Sequence, residues 1–228
     1  MYLQKNKGKN KIDNFKIKYL VLEKRIMLSN NPNLNYFDLE TTGLNQFHDR
    51  ITEFAFIKEG FSLPDKTYTS LVNPEKNISN FITRITGISN EMVADAPKFE
   101  NVMPTIIEFI NDGNQPAFLI AHNGDGFDKL VLKSHFNREN IKMREFNWVT
   151  IDTLLMAKKL YPYMFKHNLK DLMTQLGLET EEAHRAMNDT KMLQKLYQKM
   201  CVDLDKKEKL GDNYCLTHPA YVWNYIND

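Results

Sequence analysis

The sequence predicts an α/β protein in which helices flank one mixed central β-sheet. Its first candidate strands follow one another with short turns between them, which is typical of an antiparallel meander. Further along the chain, strands alternate with amphipathic helices, as they do around parallel strands. With 228 residues, of which 42% are apolar, the chain can bury a sizeable core.

Charge divides the chain into two parts. Residues 1–28 carry eight Lys or Arg and two acids, a net +6, and the whole chain is +1, so the remainder is −5. We therefore predict a basic arm at 1–32, partly disordered or helical, followed by a single domain at 33–228. A basic arm beside an acidic body is typical of a nucleic-acid or membrane-surface partner, and also of a solubility tail or localisation signal.

The cysteine and hydropathy patterns predict the cellular location of the protein. The two cysteines, Cys201 and Cys215, lack neighbours of metal-site type, which favours an intracellular protein without disulfides. No apolar run reaches the ~18 residues of a membrane span, and no secretory signal is evident. We expect a cytoplasmic or nuclear location.

The first half of the domain reads as strands followed by helices. The predicted elements are a strand within 33–44 that runs into a glycine turn, strands at 49–57 and 67–72, a short helix at 83–90 and an amphipathic helix from Phe99 to Ile110.

The second half alternates between strands and helices. The predicted elements are a buried strand at 117–122, a helix carrying Phe127 to Ser134, a strand at 148–151, and helices at about 152–160, 168–177 and 184–201. We expect residues 203–213 to be charged and exposed. The aromatic segment 214–228 is expected to pack back on the body.

Two acids, Asp38 and Glu40, stand two residues apart in the first strand. Side chains alternate along a strand, so both carboxylates share one face. A divalent cation such as Mg²⁺ or Mn²⁺ would relieve their repulsion, because these ions prefer oxygen ligands. The alternative is a pair of solvated acids on an edge strand.

Three further residues are candidates for the same site. Asp128 begins a helix after a buried strand and a glycine turn, the edge where open α/β sheets place their sites. An ordinary acid in the first turn of a helix would look the same. His184 and Asp189 can face one centre only if His184 precedes the helix that carries Asp189. Otherwise each is a surface residue.

Six short motifs occur in order along the chain. They are Phe37-Asp38-Leu39-Glu40-Thr41-Thr42-Gly43-Leu44, Ile85-Thr86-Gly87-Ile88, Ala121-His122-Asn123-Gly124 through Phe127-Asp128, Ile151-Asp152-Thr153, Leu169-Lys170-Asp171-Leu172, and His184-x-Ala186-x-x-Asp189. Over roughly residues 34–200 this set resembles the DnaQ-like, histidine-bearing branch of the DEDD superfamily of 3′→5′ exonucleases. The spacing between Asn123 and Phe127 is closest to the three-prime repair exonucleases. Arg185 disfavours the tyrosine branch.

The resemblance implies a ribonuclease H-like fold and a two-metal-ion phosphodiester hydrolase. It implies that Asp38, Glu40, Asp128 and Asp189 hold two Mg²⁺ or Mn²⁺ ions, with Asp38 shared between them. His184 would be the general base, a task that suits an imidazole at neutral pH. The expected product is a nucleoside 5′-monophosphate released from a 3′ end.

The resemblance also implies which residues hold the substrate. The turn Thr41, Thr42, Gly43 and Leu44 would grip the terminal nucleotide, with Gly43 allowing close backbone approach. Ile85 would wedge against terminal bases, or else be a core residue. His122 and Asn123 would brace the site. For the remaining histidines, His48, His135, His167 and His218, we expect surface or loop positions without a convincing partner.

Several functions remain open at this level. The favoured substrate is DNA with a free 3′ end, present as single strands or frayed ends. The alternatives are an exoribonuclease of the same family, a polymerase-associated proofreading subunit, and a binding module on an inactive nuclease scaffold. By analogy with the three-prime repair exonucleases, a homodimer would form through the sheet edge at 67–72.

Overall fold

The computed structural model describes residues 31–111, 116–181 and 184–228. The predicted basic arm at 1–32 lies outside the described residues apart from its last two positions. The helix or strand considered for residues 15–28 lies outside them as well.

Five strands form one sheet in the order β3-β2-β1-β4-β5 within the described part of the chain. They are β1 Asn33–Thr41, β2 Ile51–Lys58, β3 Lys66–Leu71, β4 Ala117–Ala121 and β5 Trp148–Asp152. The pairs β1–β2 and β2–β3 are antiparallel, whereas β1–β4 and β4–β5 are parallel. This confirms the predicted mixed sheet.

Helices cover both faces of the sheet. They are α1 Asn80–Thr86, α2 Asn90–Val93, α3 Phe99–Ile110, α4 Asp128–Arg138, α5 Thr153–Leu160, α6 Leu169–Gln175, α7 Ala186–Glu208, α8 Tyr214–Thr217 and α9 Pro219–Asn227, with a 3₁₀ helix at Met143–Glu145. Across the described ranges, none of these helices combines the length and the apolarity that crossing a bilayer would require.

The short helix predicted at 83–90 is displaced in the structure. Helix α1 starts three residues earlier, after Ser79, whose side chain accepts a hydrogen bond from the Ile82 amide. It ends at Gly87, which adopts a left-handed conformation with φ 71°. A residue without Cβ adopts that conformation at little cost, so the glycine stops the helix in the middle of the predicted range.

Helix α7 is longer than predicted and corrects the expectation for residues 203–213. It continues past Cys201 to Glu208, and it buries Leu204 and Asp205. The charged residues 206–209 are exposed. Cys201 and Leu204 extend the buried stripe at helical spacing. The Asp205 carboxylate accepts a hydrogen bond from the Cys215 amide at 2.9 Å and so anchors the C-terminal segment.

Each face of the sheet covers its own hydrophobic core. Leu34 and Tyr36 point from β1 into a core shared with α7, whereas Phe37 and Leu39 point into the core under α3 and α4. The aromatic side chains of α9 pack against the α7 core, which confirms the expected docking of the segment 214–228. Strand β1 therefore lies between the two cores.

Two histidines expected at surface or loop positions without a convincing partner have partners in the structure. His135 is buried, and its Nε2 accepts a hydrogen bond from the Ile51 amide at 3.2 Å. His167 bonds through its ring to the Tyr161 carbonyl at 3.0 Å. The sequence pattern missed both because their partners are backbone atoms, one of them far along the chain.

A buried and an exposed leucine together test whether the α7 core stabilises the fold. Leu196 of α7 is fully buried, so Leu196→Ala should lower the free energy of unfolding by about 2–5 kcal/mol through lost burial and a residual cavity. The matched change Leu63→Ala removes the same atoms from a side chain that is 73% exposed, and it should stay within about 0.5 kcal/mol. Urea unfolding of both variants measures the difference, and equal losses would contradict this assignment of the core.

Candidate active site

The two acids of β1 emerge where the strand leaves the core. Leu34 and Tyr36 occupy the buried positions of one face, and Asp38 and Glu40 follow on that same face, half-buried. The intervening Phe37 and Leu39 turn to the opposite core. The alternation predicted from the sequence therefore holds, and both carboxylates point to the α7 side of the sheet.

Asp128 reaches these acids from the neighbouring strand. After β4 the chain turns through residues 122–127, and Asp128 is the first residue of α4. Its buried carboxylate accepts a hydrogen bond from the backbone N–H of Leu39, which lies between the two strand acids. Parallel pairing of β1 with β4 brings these two strand ends to one edge of the sheet.

Helix α7 and the turn before it supply the last two candidates. His184 precedes the helix and adopts a left-handed conformation with φ 69°. Its backbone N–H donates a hydrogen bond of 2.9 Å to Oδ2 of Asp189, in the first turn of the helix. One ligand atom each from Glu40, His184 and Asp189 lies within 4.8 Å of the others. His184 is thus outside the helix, the condition under which it and Asp189 can face one centre.

The pKa values of all four carboxyls of the site are raised, mainly by burial. Burial, followed by the charges of Asp128, Asp189 and Glu40, raises the pKa of Asp38 well above its usual value. Burial and the charges of Asp189 and Glu53 raise the pKa of Glu40 to about 8. Burial also raises the pKa of Asp128 and of Asp189. These shifts arise from desolvation and like charge, the two effects that a bound cation would offset.

A fifth acid, Glu53, stands behind the site and was missed in the sequence. It lies on β2 directly opposite Glu40 and is buried. Arg185 binds its carboxylate through two nitrogens, with Nη2 2.7 Å from Oε1 and Nε 3.2 Å from Oε2. The Ala186 amide donates to the same carboxylate at 3.0 Å. This pair anchors the start of α7 to the sheet. In the sequence, Glu53 could have been noticed as the one charged residue between Ile51 and Ile57, in an otherwise uncharged strand.

The turn after the acids is fastened from within. The Thr41 hydroxyl donates to the Gly43 carbonyl at 2.6 Å, and that of Thr42 donates to Asp49 at 2.9 Å. A Cβ added to Gly43 would lie 2.5 Å from Asp49 Oδ2, so the protein itself requires glycine here. Leu44 is 82% exposed at the tip of this turn.

The remaining predicted residues lie around the cluster. The His122 ring bridges Thr153, at 2.9 Å, and the His167 carbonyl, at 2.8 Å, so it joins β4 to α5 and α6. Asn123 has φ 62° and donates its backbone N–H to Asp152. In the described residues, no hydrogen bond links either one to the four acids. Ile85 is 41% exposed, so the alternative of a core position is wrong.

The donor set fits divalent metal ions. Carboxylate oxygens and one imidazole nitrogen converge at the edge of the sheet, and the acids carry more negative charge than the neighbouring Arg185 neutralises. Such oxygen-rich sets suit Mg²⁺ and Mn²⁺. The carboxylates of Asp38, Glu40, Asp128 and Asp189 are the groups that would hold them.

Relatives of three kinds are similar to this chain in sequence. A PolC-type DNA polymerase III from Caldanaerobacter subterraneus subsp. tengcongensis is 34% identical over 175 residues, which are 77% of this chain and 12% of that protein. The chloroplastic and mitochondrial exonuclease DPD1 of Arabidopsis thaliana is 34% identical over 80% of the chain and 60% of its own length. The DNA polymerase III subunit epsilon of Aquifex aeolicus is 27% identical over 78% and 85%. The chain thus spans about an eighth of the PolC-type relatives.

Solved structures share the fold. Exonuclease X in complex with duplex DNA bearing a 5′ overhang superposes with a TM-score of 0.58 at 25% identity, covering 78% of this chain and 94% of that one. Escherichia coli exonuclease I in complex with a dA16 oligonucleotide superposes with a TM-score of 0.66 at 18% identity, covering 82% and 44%. Both likenesses confirm the ribonuclease H-like exonuclease fold.

The sequence model of the RNase_T exonuclease family matches residues 36–197, which is most of the described chain. The match begins within β1 and ends within α7, so it contains all five residues of the cluster. The narrower likeness to the three-prime repair exonucleases stays a prediction. The chain therefore belongs to the RNase_T exonuclease family, in the DnaQ-like, histidine-bearing branch that its motifs indicated.

Proposed function

We propose that this protein is a metal-dependent 3′→5′ exonuclease that hydrolyses DNA and releases nucleoside 5′-monophosphates. The observation that carries the proposal is the convergence of four carboxylates and His184 at one sheet edge, in a chain of an exonuclease family. An inactive binding module would have no use for such closely packed acids, because their repulsion destabilises the metal-free fold.

The choice of DNA rests on the relatives. Exonuclease X was solved with duplex DNA, and the PolC-type and epsilon relatives are parts of DNA polymerase III. RNA is the alternative substrate, since discrimination between DNA and RNA depends on how the protein contacts the 2′-hydroxyl. The proofreading alternative is favoured by the 34% identity to PolC-type polymerases.

Each site residue has a role in this proposal. Asp38, Glu40, Asp128 and Asp189 bind two divalent cations, Mg²⁺ or Mn²⁺. When bound, such ions stabilise the charge that develops on the oxygens around phosphorus. His184 accepts a proton from the attacking water. The water oxygen joins phosphorus as the bond to the 3′ oxygen breaks, which leaves a new 3′-hydroxyl on the shortened strand.

The exposed residues around the cluster hold the strand. Leu44 and Ile85 are apolar and exposed, so both are free to pack against the terminal nucleotide. The backbone of Thr41, Thr42 and Gly43 contacts it, on a turn made rigid by Asp49. His122 and Asn123 fix the adjacent turn. These contacts place the 3′ end over the acids.

The proposal extends to the organisation of the chain. Residues 33–228 act as one domain, and the basic arm at 1–32 adds affinity for nucleic acid that does not depend on sequence. In the described part of the sheet β3 is an edge strand, which leaves it free to pair with a second copy of the chain. A homodimer through residues 67–72 stays a prediction.

The substrate and the metal can be tested together. The wild-type protein should degrade a labelled DNA strand from its 3′ end with Mg²⁺ and not with EDTA, and it should degrade the matched RNA more slowly. Asp38→Ala should abolish degradation while the circular dichroism spectrum is retained. Asp95→Ala, which removes an exposed carboxylate elsewhere, should match the wild type. Undiminished activity of Asp38→Ala would reject the assignment.

The general base has its own test. His184→Ala should lower kcat by about 10²–10⁴-fold, as expected when a positioned proton acceptor is lost. It should also flatten the acid limb of the pH–rate profile, a change that a structural role would not produce. His48→Ala, at another exposed histidine, should leave kcat and the profile unchanged. If the profile of His184→Ala keeps its shape, another group is the base.

The raised pKa values predict how stability depends on pH. In the unfolded chain these carboxyls titrate near pH 4, and in the folded protein Glu40 titrates at about 8. The folded state therefore holds protons that the unfolded state has lost, so the contribution of Glu40 is complete below about pH 4 and disappears as the pH rises through 8. In EDTA, Tm should fall from pH 7 to 8.5.

Two comparisons separate this effect from other titrations. Glu40→Gln should show a shallower fall over the same interval, because its amide does not ionise. Added Mg²⁺ should raise Tm most at pH 8.5, where the carboxylates are ionised and bind it best. Differential scanning calorimetry provides the values. A Tm of the wild type that rises over this interval in EDTA would refute the prediction.

A further inference from the structure

We propose that a cavity beside the catalytic edge, formed by Arg50 and Arg138, binds a phosphate of the nucleic-acid backbone at a distance from the cleaved bond. The cavity has a volume of about 40 Å³ and is lined by both arginines and by His135. The choice of ligand rests on the proposed function, whereas the site itself rests on the arrangement of these residues.

Arg138 presents a buried donor without an acceptor. Its Nη2 donates to the Phe47 carbonyl at 2.6 Å, but its Nη1 is buried and has no hydrogen-bond partner in the described part of the chain. A buried donor left unpaired costs about 1–3 kcal/mol, and more when it is charged. A phosphate oxygen in the cavity would supply the missing acceptor once the guanidinium turns, because Nη1 itself has almost no exposed surface.

Arg50 adds a second positive charge to the same space. Both arginines line this cavity. Burial, followed by the charge of Arg50, lowers the pKa of Arg138. Between residues 31 and 228, gaps apart, no ion pair joins either arginine to an acid. Two guanidinium groups at one cavity that lack ion pairs in the described residues favour an anion. Their planar forks match the geometry of phosphate oxygens.

His135 shapes the cavity without adding charge. Its Nε2 accepts from the Ile51 amide, and its Nδ1 bonds to the Val131 carbonyl at 3.0 Å, so both ring nitrogens are used within the protein. Burial lowers its pKa to about 4, which keeps the ring neutral at physiological pH. The positive charge of the cavity therefore comes from Arg50 and Arg138.

Acids also border the cavity but do not neutralise it. Glu75 is ion-paired with Lys98. Glu100 and Glu139 are exposed to solvent and form no ion pair with the two arginines. These carboxylates would weaken binding of a small free anion at the cavity. They are more compatible with a phosphate that is held in place by the rest of a bound strand.

The position of the cavity suits a strand that reaches the catalytic acids. Ile51, at its wall, begins β2 and pairs with Thr41, so the cavity lies at the same end of the strands as the acids, on the face that packs against α3 and α4. Helix α4 carries Asp128 at its first residue and Arg138 at its last. Ten residues of helix span ~15 Å, which is about two nucleotides along an extended strand. The bound phosphate is therefore away from the terminal nucleotide.

Binding without turnover tests the inference. Anisotropy of 5′-labelled single strands of two and 20 nucleotides would be measured in EDTA at several salt concentrations, for the wild type, Arg50→Gln and Arg138→Gln. Losing one phosphate contact should reduce the slope of log K against log salt by ~0.7, and weaken binding of the longer strand ~5-fold at 0.1 M salt. The two-nucleotide strand, too short to reach the cavity from the acids, should bind the variants as it binds the wild type.

Controls keep a structural effect apart from a binding effect. Arg144→Gln removes an exposed arginine from the 3₁₀ helix and should leave the slope unchanged. Arg50→Gln breaks no described hydrogen bond, so its Tm should equal that of the wild type even if Arg138→Gln is destabilised. An Arg50→Gln variant with the wild-type slope and affinity for the longer strand would overturn the proposal.

A free anion is the competing ligand. If inorganic phosphate raises the Tm of the wild type but not of Arg50→Gln, while the slopes of the two proteins with DNA agree, the cavity binds free phosphate and the proposal fails. Loss of nuclease activity would not enter this result, because binding is measured in EDTA. A failure of the proposed function and a failure of this inference are thus distinguishable.

Discussion

Repulsion among buried carboxylates is the constraint on which this structure depends. Burial raises the pKa of Asp38, Glu40, Asp128 and Asp189, and the charges of neighbouring acids, Glu53 among them, raise the pKa of Asp38 and Glu40 further. Nothing local to β1 would hold such a group together. The acids stay close because strand pairing and two hydrophobic cores fix the backbone that carries them. Perturbed carboxyl groups of this kind are typical of functional sites, where some stability is given up for chemistry.

Backbone amides and one arginine partly compensate this charge. The Leu39 amide donates to Asp128, the His184 amide donates to Asp189, and Arg185 pairs with Glu53. These bonds join β1, β2, α4 and α7 at a single point, so the charged site is also a junction of the fold. Because Arg185 adjoins His184, the same ion pair that anchors α7 also orients the left-handed turn that presents the imidazole. Structural and chemical roles meet here in neighbouring residues.

The loop after β1 links the acids to the surface around them. Asp49 receives hydrogen bonds from the Thr42 hydroxyl, the Asn45 amide and Lys76, at 2.6–2.9 Å. Arg138 holds the same loop through the Phe47 carbonyl. A rigid loop keeps the exposed Leu44 at a fixed position relative to Asp38, which matters for positioning a strand end within ångströms.

The sequence by itself determined the sheet, most of the helices and the candidate acids. Strand alternation places Asp38 beside Glu40, which depends on residues near one another in the chain. The ordered motifs identify the family, because each motif is a short local pattern and their order can be read along the sequence. Only the tertiary structure decided what depends on distant partners: the Glu53–Arg185 pair spans 132 residues, and His135 meets Ile51 across 84. The extension of α7 beyond Cys201 likewise depends on burial against the C-terminal segment. A pattern in sequence reports local spacing, whereas burial and pairing across the chain exist only after it has folded.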